Sequence, residues 1–396
     1  MRKHVVVLVM AVVPLLLSTG CWNRIELNDR AFVTAIYLDS GENGDYELSL
    51  GFPLPNRLGK GTQSGGGGEG NPYTIVTKSG KTIPMAYQSI RSDMSREIAW
   101  GHTRVLVIGW ETAKRGVGPV LEFLARLPAF HTKTYVLVAR GKARDTSGLT
   151  PVFERFPAEV LREYSQRRVA LRATLKDFYE AQSFGGATVA SMLTIGEKKM
   201  LSEKGQASPW AGTDGAVLFS DSRVAGTLDK QETRGAMWIK GEMERAVISI
   251  PSPTDGKPMS FSVVSAQTKT KPLLRDESIS FRIRIEADAY LVSSESAIDV
   301  TSPAEMAKLE KTLADQVAGR IRSALDKTQK LGVDSFQFAQ RLEWRYPKTW
   351  TAVRDRWPDL YRNMKFDVKA SIRVKHPGGE INSMIRQNGA RGEGEG

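Results

Sequence analysis

Apolar residues recur along this chain with two periods, and the switches between them outline its elements. Ala31 to Leu38 is largely apolar, and Tyr46, Leu48, Leu50 and Phe52 then alternate with polar or small residues, which predicts two strands. Pro84 opens a predicted helix in which Ala86, Ile90, Met94 and Ile98 recur every four residues as one buried stripe. Short unbroken apolar runs at 105–108 and 135–139 read as buried strands. The stretches 111–124 and 157–182 read as helices, the second with Val160, Leu161, Tyr164, Leu171, Leu175 and Phe178 on its apolar side. Strands and helices thus alternate over residues 27–200, the pattern of an N-terminal mixed α/β domain.

The polar stretch 196–209 reads as a linker. Residues 215–219 and 224–228 then form a predicted hairpin within a small middle domain, 201–265. A C-terminal α+β domain, 266–385, follows. Its first strand has Phe281, Ile283, Ile285, Ala287, Ala289 and Leu291 alternating with Arg282, Arg284, Glu286, Asp288 and Tyr290. A second such strand has Phe366, Val368, Ala370, Ile372 and Val374 between charged or polar neighbours. Between them the clearest helix covers 303–331. Ser302 and Glu305 have capping-box spacing, Pro303 occupies the first helical position and Gly332 ends it. Met306, Leu309, Leu313, Val317, Ile321 and Leu325 mark its apolar stripe, and at 1.5 Å per residue it is roughly 43 Å long. Its charged side reads as a solvated face, with a membrane or a partner as the alternative. The fold class predicted is α+β or mixed α/β: three domains with mixed sheets flanked by helices.

Three segments stand outside this periodicity. Arg2, Lys3 and His4 precede an apolar run from Val5 to Leu17, too short for the ~20 residues of a spanning helix, so residues 1–20 read as a secretory signal. Ser18, Thr19 and Gly20 lead into Cys21, and Leu17-Ser-Thr-Gly-Cys21 resembles a lipobox, with Leu one place further back than is usual. An ordinary signal peptide ending beside a cysteine is the alternative. Cys21 is the only cysteine in 396 residues, so no intrachain disulfide is possible. Diacylglycerol and acyl chains on Cys21 would hold the chain on the outer face of a membrane, with 21–26 as the tether. Gly59 to Gly70 (GKGTQSGGGGEG) is a low-complexity loop without the Lys-Ser/Thr closure of a phosphate cradle, and 386–396 reads as a disordered tail.

Composition changes this picture little. Hydrophobic residues make up 41% and charged residues 25%, as in an ordinary folded protein, and no second apolar run could span a membrane. The net charge of +12, or +10 once Arg2 and Lys3 are removed, suits an anionic lipid surface, an acidic partner or a dispersed solvated set of charges. Nucleic acid is disfavoured by export and by the lack of any zinc-finger, ribonucleoprotein or dense basic motif.

Candidate chemistry is sparse. His102, His131 and His376 have no second histidine or cysteine at ligand spacing, so no metal or other cofactor is indicated. His102 reads as a structural histidine, with a general base as the alternative. There is no Gly-x-Ser-x-Gly elbow, and carboxylate pairs such as Glu295 with Asp299 or Asp355 with Asp359 are too common to indicate a glycosidase. Trp344, Trp350 and Trp357 lie among Arg345, Tyr346, Pro347, Lys348 and Arg356, a cluster suited to core packing or, alternatively, to a contact surface. The chain reads as a non-enzyme.

Several of these segments occur together in one family. Cys21-Trp-Asn-Arg-Ile-Glu-Leu-Asn-Asp29 resembles the opening of the Ger(x)C family, the lipoprotein C subunits of bacterial spore germinant receptors. Arg96-Glu-Ile-Ala-Trp-Gly-His102, then Val105 to Gly109 and Glu111, resembles its second segment, with Trp110 inserted where the family has Gly-Glu. Gly215 to Leu228 with Glu232-Thr-Arg-Gly235 and Trp238 is similar to the middle segment. Gln329, Asp334, Phe336, Phe338, the run Arg345 to Trp350, Trp357 and the strand 368–374 are similar to the last. The matches run in order from Cys21 to about Met384. The resemblance implies three mixed α/β domains without catalytic residues, in a complex with integral-membrane A and B subunits of the spore inner membrane that triggers germination in response to nutrients. It also marks Arg96, Glu97, Gly101 and His102, with Trp350 and Trp357, as signature or interaction positions. A solute-binding lipoprotein serving a transporter is the competing reading, though no second similar lobe is visible in the sequence.

Overall fold

The computed structural model describes residues 26–58, 70–276 and 278–375, besides the isolated Arg2. Cys21, the signal segment, most of the Gly59–Gly70 loop, His376 and the 386–396 tail lie outside the described residues. An eight-stranded sheet dominates the N-terminal part. Its strands are β2 (Ala35–Ser40), β3 (Tyr46–Pro53), β4 (Tyr73–Gly80), β6 (Val105–Gly109), β7 (Tyr135–Ala139), β8 (Thr188–Lys199), β9 (Ala207–Ser220) and β10 (Arg223–Leu228), in the order β10-β9-β8-β7-β6-β2-β3-β4. The neighbours β2, β6, β7 and β8 are parallel, and antiparallel pairs complete both sides. A two-stranded parallel ribbon of β1 (Arg30–Phe32) and β5 (Glu97–Ala99) lies apart.

The central strands are unbroken apolar runs because both faces are covered. On one face Ile36, Leu38, Leu106, Ile108 and Val138 share a core with the helices Ile83–Asp93, Gly118–Ala125 and Leu175–Ser183. On the other, Tyr37, Val105, Val107 and Leu137 pack with Leu149 and with Leu161 of the helix Pro157–Gln166.

The second sheet has the order β11-β12-β13-β14, from β11 (Val247–Pro251), β12 (Pro258–Arg275), β13 (Ser278–Ser294) and β14 (Lys365–Lys375). The strands β13 and β14 are parallel, Ile283 facing Val368, and the others are antiparallel. One face buries Phe281, Ile283 and Ile285 under the helix Pro303–Leu331, whose Leu309, Leu313, Val317, Ile321 and Leu325 are all buried. Ser302 accepts from the Glu305 N–H at its start, and Gly332 ends it in a left-handed conformation at φ 71°. The opposite face is wet and charged: Asp367 accepts from Arg282 Nε at 3.1 Å and Arg284 Nη2 at 2.8 Å.

The α+β class stands, with mixed sheets flanked by helices. The strands of the first sheet cross the predicted division at residue 200. The hairpin 207–228 completes the first sheet, and 196–209 is no linker: β8 and β9 stay paired out to Lys199 and Ala207. Both faces of that outer part are wet, so its side chains carry no period of two. The boundary at 266 falls inside β12, an 18-residue strand whose distal half likewise lacks a buried face. The predicted helix 157–182 is two, because Arg168 adopts φ 57° and Thr174 then starts a second with a Thr174–Asp177 capping box. The predicted helix 111–124 is broken at Gly116, φ 128°. The helix opened by Pro84 ends at Asp93, so Ile98 belongs to β5 rather than to its stripe.

One helix joins the two sheets. Lys230–Lys240 is capped by Asp229, which accepts from the N–H of Gln231 and Glu232 while Glu232 accepts from the N–H of Asp229. It buries Ala236, Trp238 and Ile239 in a core that runs from Val189 and Leu218 of the first sheet to Phe261 and Ile283 of the second. It crosses the long helix backbone to backbone: a Cβ on Gly235 would lie 2.0 Å from the Arg320 carbonyl oxygen.

Gly235→Val should therefore destabilise the folded chain by about 1–3 kcal/mol or more through overpacking, read as a lower urea midpoint. A second prediction concerns pH. The hydrogen bond from Arg284 and then that from Arg282 hold the Asp367 carboxyl down at about 2. Its stabilisation is complete above the unfolded-state value of ~3.9 and is lost as pH falls through about 2. Asp367→Asn should cost up to ~1 kcal/mol at pH 6, discounted for solvent exposure, and the difference should vanish near pH 2.

Candidate functional site

The segment Arg96–His102 is a seat for the strand β1. Arg30, Ala31 and Phe32 of β1 pair in parallel with Glu97, Ile98 and Ala99 of β5. The connection continues beyond the ribbon: the Val33 N–H donates to Ala99 O at 2.9 Å, the Thr103 hydroxyl to Val33 O at 3.3 Å and the Arg104 N–H to Thr34 O at 2.9 Å. His102 is exposed and presents its ring edge-on to Phe32, centroids 4.8 Å apart. Beneath the ribbon Trp100 is buried against Tyr87, Phe123 and Phe130, ring centroids 5.5–6.4 Å away. Arg96 and Glu97 are exposed, and Gly101 is half-buried with only Ala129 O near its missing Cβ, at 4.0 Å. The structure thus brings Arg96, Glu97, Gly101 and His102 onto one edge that grips the chain's N-terminal segment.

Trp350 and Trp357 lie far along the chain from that edge and form a different unit. Both are buried, which fits core packing and not a contact surface; the exposed tryptophan of this cluster is Trp344, 73% accessible. Their rings meet edge-to-face at 5.5 Å, and Trp350 also meets Phe184, at 6.4 Å, at the end of the helix Leu175–Ser183. Trp357 Nε1 donates to Asp334 Oδ2 at 3.1 Å. That buried carboxylate also accepts from the Phe338 N–H at 3.0 Å and the Ala339 N–H at 2.7 Å, satisfying the start of the helix Phe338–Arg345. Burial raises the Asp334 pKa, and the three donors oppose that rise. Gln329 Nε2 closes the unit by donating to Tyr361 O at 2.9 Å and Met364 O at 2.8 Å.

Other motif positions are explained by backbone approach. A Cβ on Gly109 would lie 2.0 Å from Asp39 Oδ1. The Asp39 carboxylate needs that space to accept from the N–H of Ala143, at 2.6 Å, and of Arg144, at 2.9 Å. Gly215 has φ 93°, and its missing Cβ would meet Leu228 O at 2.2 Å. Asp39 was not distinguished by sequence reasoning, since one carboxylate after an apolar run reads as a turn residue; Gly109 was the only signal for it. Among the described residues no three His, Cys, Asp or Glu side chains converge as metal ligands, and no helix is long and apolar enough to cross a membrane.

Comparison with known proteins gives a consistent result along the whole chain. A family profile described as "Spore germination protein N-terminal domain" matches residues 23–195. A second, "Spore germination B3/ GerAC like, C-terminal", matches residues 214–378. The provisionally named spore germination protein YfkR of Bacillus subtilis (strain 168) is 26% identical over 383 residues, 96% of this chain and 98% of that one. Spore germination protein KC of the same organism is 23% identical, covering 98% and 99% of the two chains. Among solved structures, the crystal structure of the GerBC protein shares the fold at a TM-score of 0.51 and 19% identity, covering 86% of this chain and 96% of that one.

The seat for β1 makes a specific expectation. Phe32→Ala removes the ring held against His102, so amides 30–34 should exchange with deuterium at least tenfold faster while those of β6 and β7 keep their protection. Loss of protection across the whole sheet would show that β1 is instead part of the global folding unit.

Proposed function

Since this chain belongs to the Ger(x)C family of spore germination proteins, we propose that it is a non-enzymatic, lipid-anchored subunit of a nutrient germinant receptor, acting with integral-membrane A and B subunits on the outer face of the spore inner membrane. Cys21 carries the lipid. The observation that supports this best is the attachment of β1 to the Arg96–His102 edge. Eight residues separate Cys21 from Arg30, and the nine steps between them at ~3.6 Å each allow at most about 32 Å. An acylated Cys21 would therefore hold this folded edge close to the bilayer surface, within reach of the extracytoplasmic faces of membrane subunits. Two acyl chains make such attachment nearly permanent. The subunit's role is then to bind one state of its membrane partners more tightly than another, shifting their equilibrium.

Two outcomes test this reading. Cys21→Ala should move the protein from the membrane to the soluble fraction and impair nutrient-triggered germination; a soluble variant that still supports germination would overturn the anchoring role. Crosslinking and mass spectrometry from detergent-solubilised spore inner membrane should recover multi-span A- and B-type subunits. Recovery of transporter permeases in their place would point to solute delivery.

A further inference from the structure

Beside the helix Lys230–Lys240, where it leaves the first sheet for the second, lies a cleft of about 570 Å³. Its volume is that of a small-molecule site. Two hydroxyls that line it are anomalous: Ser191 of β8, 1% exposed, and Thr233 of the helix, 8% exposed, have no hydrogen-bond partner for their side-chain oxygens among the described residues. Ser191 lies on the same side of β8 as Val189, the side that meets the helix. A buried hydroxyl without a partner costs about 1–3 kcal/mol, so two on facing elements of one cleft mark a place where a partner is missing.

The charge around the cleft is equally lopsided. Arg168 is paired with Glu244, Arg167 with Glu163 and Lys230 with Asp214. Among the described residues Arg234 has no carboxylate partner; its Nη1 donates to the Val247 carbonyl at 3.0 Å. Arg245, also in the lining, is exposed and makes no ion pair with a described residue. Next to Arg234, Arg320 of the long helix has a buried Nη1 without a partner among the described residues, and the two like charges repel. An oxyanion between Arg234 and Arg245 would offset this excess and give Ser191 and Thr233 an acceptor. Leu171, Met237 and Met243, also in the lining, are apolar and would take a short hydrocarbon portion.

We propose that this cleft is a binding site for a small organic ligand that carries one oxyanion, carboxylate or phosphate, on a short apolar chain. The proposal does not depend on the receptor reading, because it concerns the isolated chain. It is tested on the full-length protein in detergent by calorimetry with hexanoate, hexyl phosphate and, as the neutral control, 1-hexanol. Saturable binding of either anion, with at least tenfold weaker binding of hexanol, is expected. A preference between the two anions identifies which oxyanion the site takes.

Thr233→Val is the decisive variant. It removes an unpartnered hydroxyl and keeps the shape, so the melting temperature of the free protein should hold or rise while anion affinity falls at least fivefold. Arg234→Gln should lower affinity tenfold or more and reduce its salt dependence. Absence of binding by both anions, equal binding of hexanol, or undiminished affinity in a folded Thr233→Val protein would overturn the proposal.

Discussion

The two sheets of this molecule are held together through the crossing of two helices at Gly235. With the Arg320 carbonyl 2.0 Å from where a Cβ would stand, only glycine lets the Lys230–Lys240 helix lie directly on the Pro303–Leu331 helix. That contact sets the distance between the two sheets, because the shorter helix touches both. Trp238, fully buried, sits in the core that begins at Val189 and Leu218 and ends among Phe261 and Ile283. At the C-terminal end of this helix the Thr268 hydroxyl of β12 donates to Trp238 O at 2.6 Å, and Glu242 accepts from the Arg172 N–H, just before the helix Leu175–Ser183, at 2.8 Å.

Most of the motif positions shared with spore germination proteins turn out to answer backbone constraints. Gly109 makes room for a carboxylate, Gly215 holds a positive φ within β9 against Leu228 O, Glu232 completes a cap, and Gln329, Asp334 and Trp357 engage backbone groups or one another among the short C-terminal helices. The fold is shared with the GerBC protein at 19% identity. Surface side chains vary freely, whereas a carbonyl that needs a donor or a crossing that excludes a Cβ accepts few residues. The Arg96–His102 edge differs in kind, since three of its named side chains are exposed and it seats the strand β1.

Sequence alone determined those elements whose stabilising neighbours lie within one or two turns. The long helix was legible to the residue, because the Ser302 cap, Pro303, the stripe from Leu309 to Leu325 and the Gly332 stop are all local. The half-buried strands around Ile283 and Val368 were legible for the same reason, since alternation reports one wet face and one dry face. Tertiary structure alone decided which strands share a sheet: the partners of 207–228, the length of β12 and the break at Arg168 have no periodic trace when both faces are wet or the turn lacks glycine. It alone decided that Trp350 and Trp357 face inward and that Ser191 and Thr233, 42 positions apart, line one cleft. A hydrophobic period records only how each residue meets the inside or the outside. Which distant residue it meets there depends on chain crossings, such as the one at Gly235, that no local pattern encodes.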